Sequence, residues 1–200
     1  MFSMLKKVLP LLAIIGCSSC GGDLEVEGGE DPSPITWSEC SQEMGDHPCD
    51  FTLTDQADED WSLYDHYGSI IVLDFSAEWC GWCQVAAGTT QELQDLYSDD
   101  GVIYVTILVE DMYGQPADLE LAQEWASNFG ISAPVLVGSR DMISADPLEG
   151  WPVTGWPRFF FLDRDLTLVN VLNGYSDAGM LTILDSMLVE EVVESSETSD

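Results

Sequence analysis

Between residues 70 and 190 the apolar positions of this chain alternate between two rhythms. Residues 70–76 form a nearly unbroken apolar run, the pattern of a strand covered on both faces. Residues 102–109 are a second such run, rich in β-branched side chains. Between them, residues 84–97 set Val85, Leu93, Leu96 and Tyr97 at helical spacing, with Gly88 as a weak point. Residues 117–129 repeat that spacing through Leu121, Ala122, Trp125 and Phe129, and Gly130 ends the pattern. A short strand is expected at 134–137. Residues 138–156 lack periodicity and read as a long loop, which in a compact domain is usually functional or variable. Segments 158–162 and 166–172 flank Asp163-Arg164-Asp165 and predict a hairpin. Ser176 then caps a last helix with Met180, Leu181, Leu184, Met187 and Leu188 inward. Strands alternating with helices and closing on a hairpin predict an α/β domain at 50–190, a central mixed sheet flanked by helices on both faces.

The ends read differently. Residues 1–16 have the form of an export signal: Lys6 and Lys7, then an apolar stretch from Val8 to Ile15, short of the roughly 20 residues a spanning helix needs. Ile14-Ile15-Gly16-Cys17 resembles a bacterial lipoprotein box, with Cys17 as the lipidated residue and Cys20 as the weaker candidate. Residues 17–49 are expected to be a flexible tether and a small cysteine loop, and 191–200 an acidic tail. With export assumed, Cys40 and Cys49 are expected to close a structural disulfide around Gly45 and Pro48. The alternative is a second redox pair that exchanges with Cys80 and Cys83.

Charge narrows the partners. Five Lys and Arg stand against 37 Asp and Glu, a net charge of -32. Such a surface repels nucleic acid and anionic lipid, so no nucleic-acid partner is expected, and membrane contact only through a lipid anchor.

The chemistry is concentrated in Trp79-Cys80-Gly81-Trp82-Cys83, directly behind the apolar run 70–76. Two cysteines separated by two residues at a strand-to-helix corner suit a redox dithiol, because the helix N-terminus stabilises the thiolate of the first. Half of a zinc site has the same spacing, but no second CxxC follows, and His47 and His66 lie upstream and apart. Scattered Met112 and Met142 with His66 read as core filler rather than copper ligands. No metal or other cofactor is expected.

Asp74 through Cys83 resembles the active-site segment of thioredoxins. Asp50-Phe51-Thr52-Leu53-Thr54-Asp55 resembles the opening of the extracytoplasmic redoxin branch with TlpA- and ResA-like members, and 153–163 the segment with that family's cis-proline. The resemblance implies a thioredoxin-like fold with an N-terminal extension. It also implies a thiol–disulfide oxidoreductase acting on exported proteins with thiols or disulfides, supplied by a membrane or periplasmic electron donor. Cys80 would be the nucleophile, Cys83 the resolving thiol, and Asp74 the buried carboxylate that takes the Cys83 proton, with Glu110 the next candidate base. Pro157 would be the cis-proline, with Pro152 its rival. Trp82, Trp156 and Pro157 would meet the substrate, while Trp79 reads as ordinary packing.

Three departures stand out. Trp82 replaces the usual proline between the cysteines, no lysine follows Lys7, and Glu78 adds negative charge beside Cys80. The competing functions are a peroxiredoxin-like thiol peroxidase, a haem or copper assembly chaperone, and a redox-inert lipoprotein. Against the peroxidase, Ala77 stands where a hydroxyl residue is expected three before the cysteine.

Overall fold

The structure, a computed structural model, describes residues 34–197. Cys17, Cys20 and the expected signal and tether up to residue 33 lie outside them. A two-stranded antiparallel hairpin comes first, β1 (Thr52–Thr54) with β2 (Asp60–Ser62). The apolar run forms β3 (Ile70–Ser76), buried along its whole length, and the CxxC helix follows as α1 (Gly81–Tyr97). Then come β4 (Val102–Leu108), α2 (Leu119–Phe129), β5 (Val135–Val137), β6 (Arg158–Leu162), β7 (Leu168–Asn173) and α3 (Asp177–Glu197).

Five strands make one mixed sheet in the order β5-β4-β3-β6-β7. β3, β4 and β5 run parallel, and β6 and β7 antiparallel to their neighbours. The domain is thus the expected mixed sheet flanked by helices, a thioredoxin-like α/β fold, but the cover is uneven. The crossovers β3-α1-β4 and β4-α2-β5 step in the same direction across the sheet, and right-handed crossovers then deliver both helices to one face. There α1 and α3 pack Ala86, Leu93, Met180 and Leu184 on Val72, Tyr104, Phe159 and Phe161. On the same face α2 packs Leu121, Ala122 and Trp125 near Leu108 and Val135. The other face carries Leu73, Phe75, Val105 and Phe160 under Trp61 of the hairpin, Trp151 of the long loop, and two short 3-10 helices at Leu63–His66 and Arg140–Met142.

Several local expectations need correcting. The helix of the motif starts at Gly81 rather than 84, so the dithiol belongs to its first turn. Its buried face is Cys83, Ala86, Ala87, Thr90, Leu93 and Tyr97; Val85 and Leu96 point outward, 49% and 59% exposed. Small residues were chosen for the inner face because α1 lies close against the sheet. β7 begins at Leu168, because Leu166 takes a left-handed turn conformation (φ 60). Its fully buried side chain offsets that strain. The last helix continues to Glu197, past the expected boundary at 190.

The cysteine loop is part of the packed domain rather than of a tether. Cys40 and Cys49 are disulfide-bonded, Cα atoms 4.8 Å apart. The N–H of Gln42 donates to the Pro147 carbonyl at 2.9 Å, and Gly45 and Asp46 bond to both backbone groups of Leu168 at 2.8 and 2.9 Å. Ile35 and Trp37 pack against the core just upstream. Closing so short a loop restricts mainly the unfolded chain, so replacing both cysteines by serine should lower the unfolding free energy by about 2–3 kcal/mol. Denaturant melts check the loss; thiol labelling of the reduced Cys80–Cys83 pair should be unchanged in rate.

Candidate active site

β3 ends in Ser76 and α1 begins at Gly81, so Trp79 and Cys80 span the corner at the carboxyl end of the central strand. Cys80 is the N-cap: the backbone N–H of Cys83 donates to its Sγ at 3.1 Å. When the disulfide opens, that donor and the helix N-terminus favour a thiolate at Cys80. Cys80 and Cys83 are joined as a disulfide, Cα atoms 5.2 Å apart. Cys83 is fully buried and Cys80 is 6% exposed, so of the two sulfur-bearing residues only Cys80 offers any surface to a partner.

Asp74 sits on β3 with 1% of its surface exposed. Its register partner is Thr106 on β4, and its sheet face is the one covered by α1. Cys83, Ala86, Ala87 and Thr90 are the α1 residues turned to that face, which puts the carboxylate beneath the first turns of the dithiol helix. Ser76 donates to Oδ1 at 2.8 Å and the Tyr104 hydroxyl to Oδ2 at 3.0 Å. Burial outweighs both bonds and pushes the Asp74 pKa up to about 7.

Glu110, the reserve base, is built for a different task. It is 4% exposed, yet Arg140 grips it from two nitrogens, Nε on Oε1 and Nη2 on Oε2 at 2.9 Å. The guanidinium bonds, more than any other influence, hold its pKa below the usual range, so it is a fixed anion and a poor proton acceptor. It spends that charge on Trp79, whose indole Nε1 donates to Oε2 at 2.9 Å. The Trp79 ring meets Trp156 edge-on, centroids 6.0 Å apart. Trp79 is therefore a held wall of the site rather than ordinary packing. Two residues before Arg140, Gly138 packs tightly on β4, where a Cβ would stand 2.6 Å from Ile107 and 3.0 Å from the Leu108 carbonyl.

Trp156–Pro157 is the cis bond, not Trp151–Pro152, and Trp156 packs on the cluster holding both cysteines. Trp82 stands out at 65% exposed. Beside it the segment 110–116 is strapped to the motif: Glu78 N–H donates to the Glu110 carbonyl at 2.9 Å, and Met112 N–H to the Glu78 carboxylate at 2.7 Å. That engages the Glu78 carboxylate with the segment, in which Met112 and Tyr113 are 48% and 86% exposed. Met142 packs on the core and His66 stacks on Trp61, so these two do not converge with Met112.

Cys40 and Cys49 lie elsewhere. Their loop bonds Leu168, which pairs with Leu162, itself opposite Ile71 at the start of β3. The motif follows the other end of that strand, about 17 Å away at strand rise, so the two disulfides belong to opposite ends of β3. Tyr104, Arg140 and the 110–116 rim escaped sequence reasoning. The available signal was polar Tyr104 and Thr106 inside an otherwise apolar strand.

The AhpC/TSA family matches residues 44–171, and the chain belongs to that family. The thiol-disulfide oxidoreductase ResA of Geobacillus kaustophilus is 25% identical over 131 residues, 66% of this chain and 70% of that one. Among solved structures, the exposed lipoprotein thioredoxin of Streptococcus pneumoniae is similar at 26% identity and TM-score 0.55, covering 70% of this chain and 98% of its own. A secreted thiol-disulfide isomerase from Corynebacterium glutamicum shares the fold at 19% identity and TM-score 0.60, covering 72% and 85%. The chain is a thioredoxin-fold redoxin, a redox-active oxidoreductase.

The raised pKa of Asp74 has a cost in stability with a defined sign. Between its unfolded value near 4 and about 7 the folded state binds the extra proton, so stability falls as pH rises through that window. Asp74→Asn should change little at pH 4 and raise the unfolding free energy by up to about 4 kcal/mol at pH 8. Urea melts at the two pH values check it; an equal effect at both would show that no ionising buried acid is involved.

Proposed function

We propose that this chain is a thiol–disulfide oxidoreductase outside the cytoplasm, tethered through lipid on Cys17, which exchanges the Cys80–Cys83 disulfide with exported proteins. The observation that carries the reading is the Cys80–Cys83 disulfide in the first turn of α1, the helix that covers the sheet face carrying a buried carboxylate poised near neutrality. A second disulfide at Cys40–Cys49 suits an oxidising compartment. Among the described residues no helix is long and apolar enough to cross a membrane.

In the reducing direction the Cys80 thiolate attacks a client disulfide, forming the Cys80–client bond and releasing one client thiolate. Cys83 gives its proton to Asp74, and its sulfur attacks Cys80 Sγ. The Cys80–client bond breaks, the second client thiolate leaves and takes a proton from solvent, and the protein ends oxidised. An electron donor at the membrane or in the periplasm then returns the pair to dithiol; run backwards, the same steps oxidise a client. Trp79, Trp82, Trp156, Met112 and Tyr113 offer the apolar ground on which an extended client segment rests beside Pro157.

A peroxiredoxin-like thiol peroxidase is the second reading, and the family match, taken alone, stands nearer to it. The motif itself supports disulfide exchange: Ala77 offers no hydroxyl, and the resolving thiol already lies one turn from the nucleophile. Cys83→Ser should accumulate mixed disulfides through Cys80 with envelope proteins, resolved on non-reducing gels and absent in Cys80→Ser. Rapid peroxide consumption by the wild type, lost in Cys80→Ser, would establish the peroxidase instead. Cys17→Ser should appear in the soluble fraction or as unprocessed precursor, whereas Cys20→Ser should stay with membranes; a processed Cys17→Ser protein that sediments with membranes would remove the anchor.

A further inference from the structure

Asp74 is held without a counter-ion. On its own strand it faces Ser76, and from β4 it faces Tyr104 and Thr106. From α1 come Cys83 and Thr90, and from β6 the apolar Phe159 and Phe161. Ahead of α3 stands Tyr175, whose hydroxyl is engaged by Thr89 and Asp177. No lysine, arginine or histidine is among the groups that set its charge.

Within this cage the bonding is selective. Thr106 stands directly opposite Asp74 in the parallel register and projects to the same face, yet its buried hydroxyl has no partner. The carboxylate is bonded instead by Tyr104, two register pairs further back opposite Val72. Two strand residues cover about 6.6 Å, which a phenol spans and a shorter hydroxyl side chain at 104 would not. The Tyr104 ring is 1% exposed and wedged among Val72, Ala86 and Phe161, so its hydroxyl has little freedom to leave.

We propose that Tyr104 is the positioning residue of this dithiol site, its phenol anchoring one oxygen of Asp74 and thereby setting the pH at which that carboxylate accepts the Cys83 proton. The inference rests on the reading of Asp74 as the base. Tyr104 suits the task because it remains a donor throughout: burial and the neighbouring carboxylate both push its own ionisation far above neutrality. A neutral donor is also a graded one. It offsets part of the cost of burying the carboxylate, whereas a cation at that distance would hold the acid ionised and make it a weak base. With no donor the acid would stay protonated at neutral pH and could take nothing from Cys83.

The test is Tyr104→Phe, which removes one oxygen and keeps the ring. Titration of the Asp74 carboxyl, followed by carbon-13 NMR of labelled aspartate, should show a midpoint raised by about one pH unit, a ten-fold change in the protonation equilibrium. The pH profile of the resolving step, read by stopped flow on a preformed Cys80 mixed disulfide, should move by the same amount. In an Asp74→Asn background, Tyr104→Phe should leave that profile unmoved. An Asp74 titration in Tyr104→Phe that overlays the wild type overturns the proposal. A shifted carboxyl titration beside an unshifted kinetic profile supports Tyr104 as the group that sets Asp74, and overturns Asp74 as the base. Should Tyr104→Phe fail to fold, fluorotyrosine incorporation makes the phenol a stronger donor at nearly unchanged shape; the Asp74 midpoint should then fall, and an unmoved midpoint overturns the proposal.

Discussion

Placing a carboxyl group in the middle strand of a sheet covered on both faces constrains almost everything around it. Asp74 cannot ionise there without donors, and the neighbouring strands and helix must supply them without opening the site to water. β3 contributes Ser76, β4 contributes Tyr104, and α1 lies over the pair with small residues at Ala86 and Ala87. The close approach that those alanines allow brings Cys83 down to the same layer. The acid, the resolving thiol and the helix dipole at Cys80 thus follow from one packing decision. Were α1 lifted by larger side chains, the carboxylate would hydrate and its pKa would fall toward the ordinary range.

The scarcity of cations shapes the rest. Among the described residues the lysines and arginines number three, and each is spent inside the fold. Arg140 neutralises Glu110. Arg158 lies over the Phe160 ring at 5.4 Å and bonds Thr154 and Asn173. Arg164 ties the turn between β6 and β7 to the carbonyls of Gly68 and Asp100, at 3.0 and 2.8 Å. The remaining surface is anionic, a poor host for phosphate or nucleic acid, and its self-repulsion is eased only by salt. The one ion pair beside the dithiol is therefore not decoration. Through Trp79 it fixes a wall beside the dithiol, which a lone surface pair would not do.

What the sequence disclosed was whatever is local in it. The run at β3, the motif after it, the stop at Gly130 and the cap at Ser176 are each contained within a few residues, and each was legible. The buried face of α1 was not. Val85 and Leu96 fit a helical stripe, but the inner face is decided by three helices crowding one side of the sheet, which selects alanine and threonine. Tyr104 and Asp74 lie 30 residues apart, as do Arg140 and Glu110, and meet only through register and the return of the long loop. The first hairpin at β1 and β2 was also missed, since three-residue strands carry too few positions to show alternation.

Two disulfides lie among the described residues, and exposure alone would choose the wrong one as reactive. Cys40 is exposed and Cys49 half-buried, whereas Cys80 is nearly covered and Cys83 wholly so. What separates them is the fate of each sulfur once the bond opens. At Cys80 a helix N-terminus and a backbone donor favour the negative charge, and the sheet face under α1 carries a buried carboxylate whose pKa is raised to about 7. Cys40 and Cys49 lie in a loop pinned by hydrogen bonds to Pro147 and Leu168, with no helix beginning at either sulfur. A thiolate formed there would have no helix N-terminus to stabilise it, and Glu39, Glu43, Asp46 and Asp50 are its acidic neighbours in sequence. Reactivity in this domain is therefore a property of the corner between β3 and α1, and the second bridge can stay closed in the same solvent because nothing around it rewards opening.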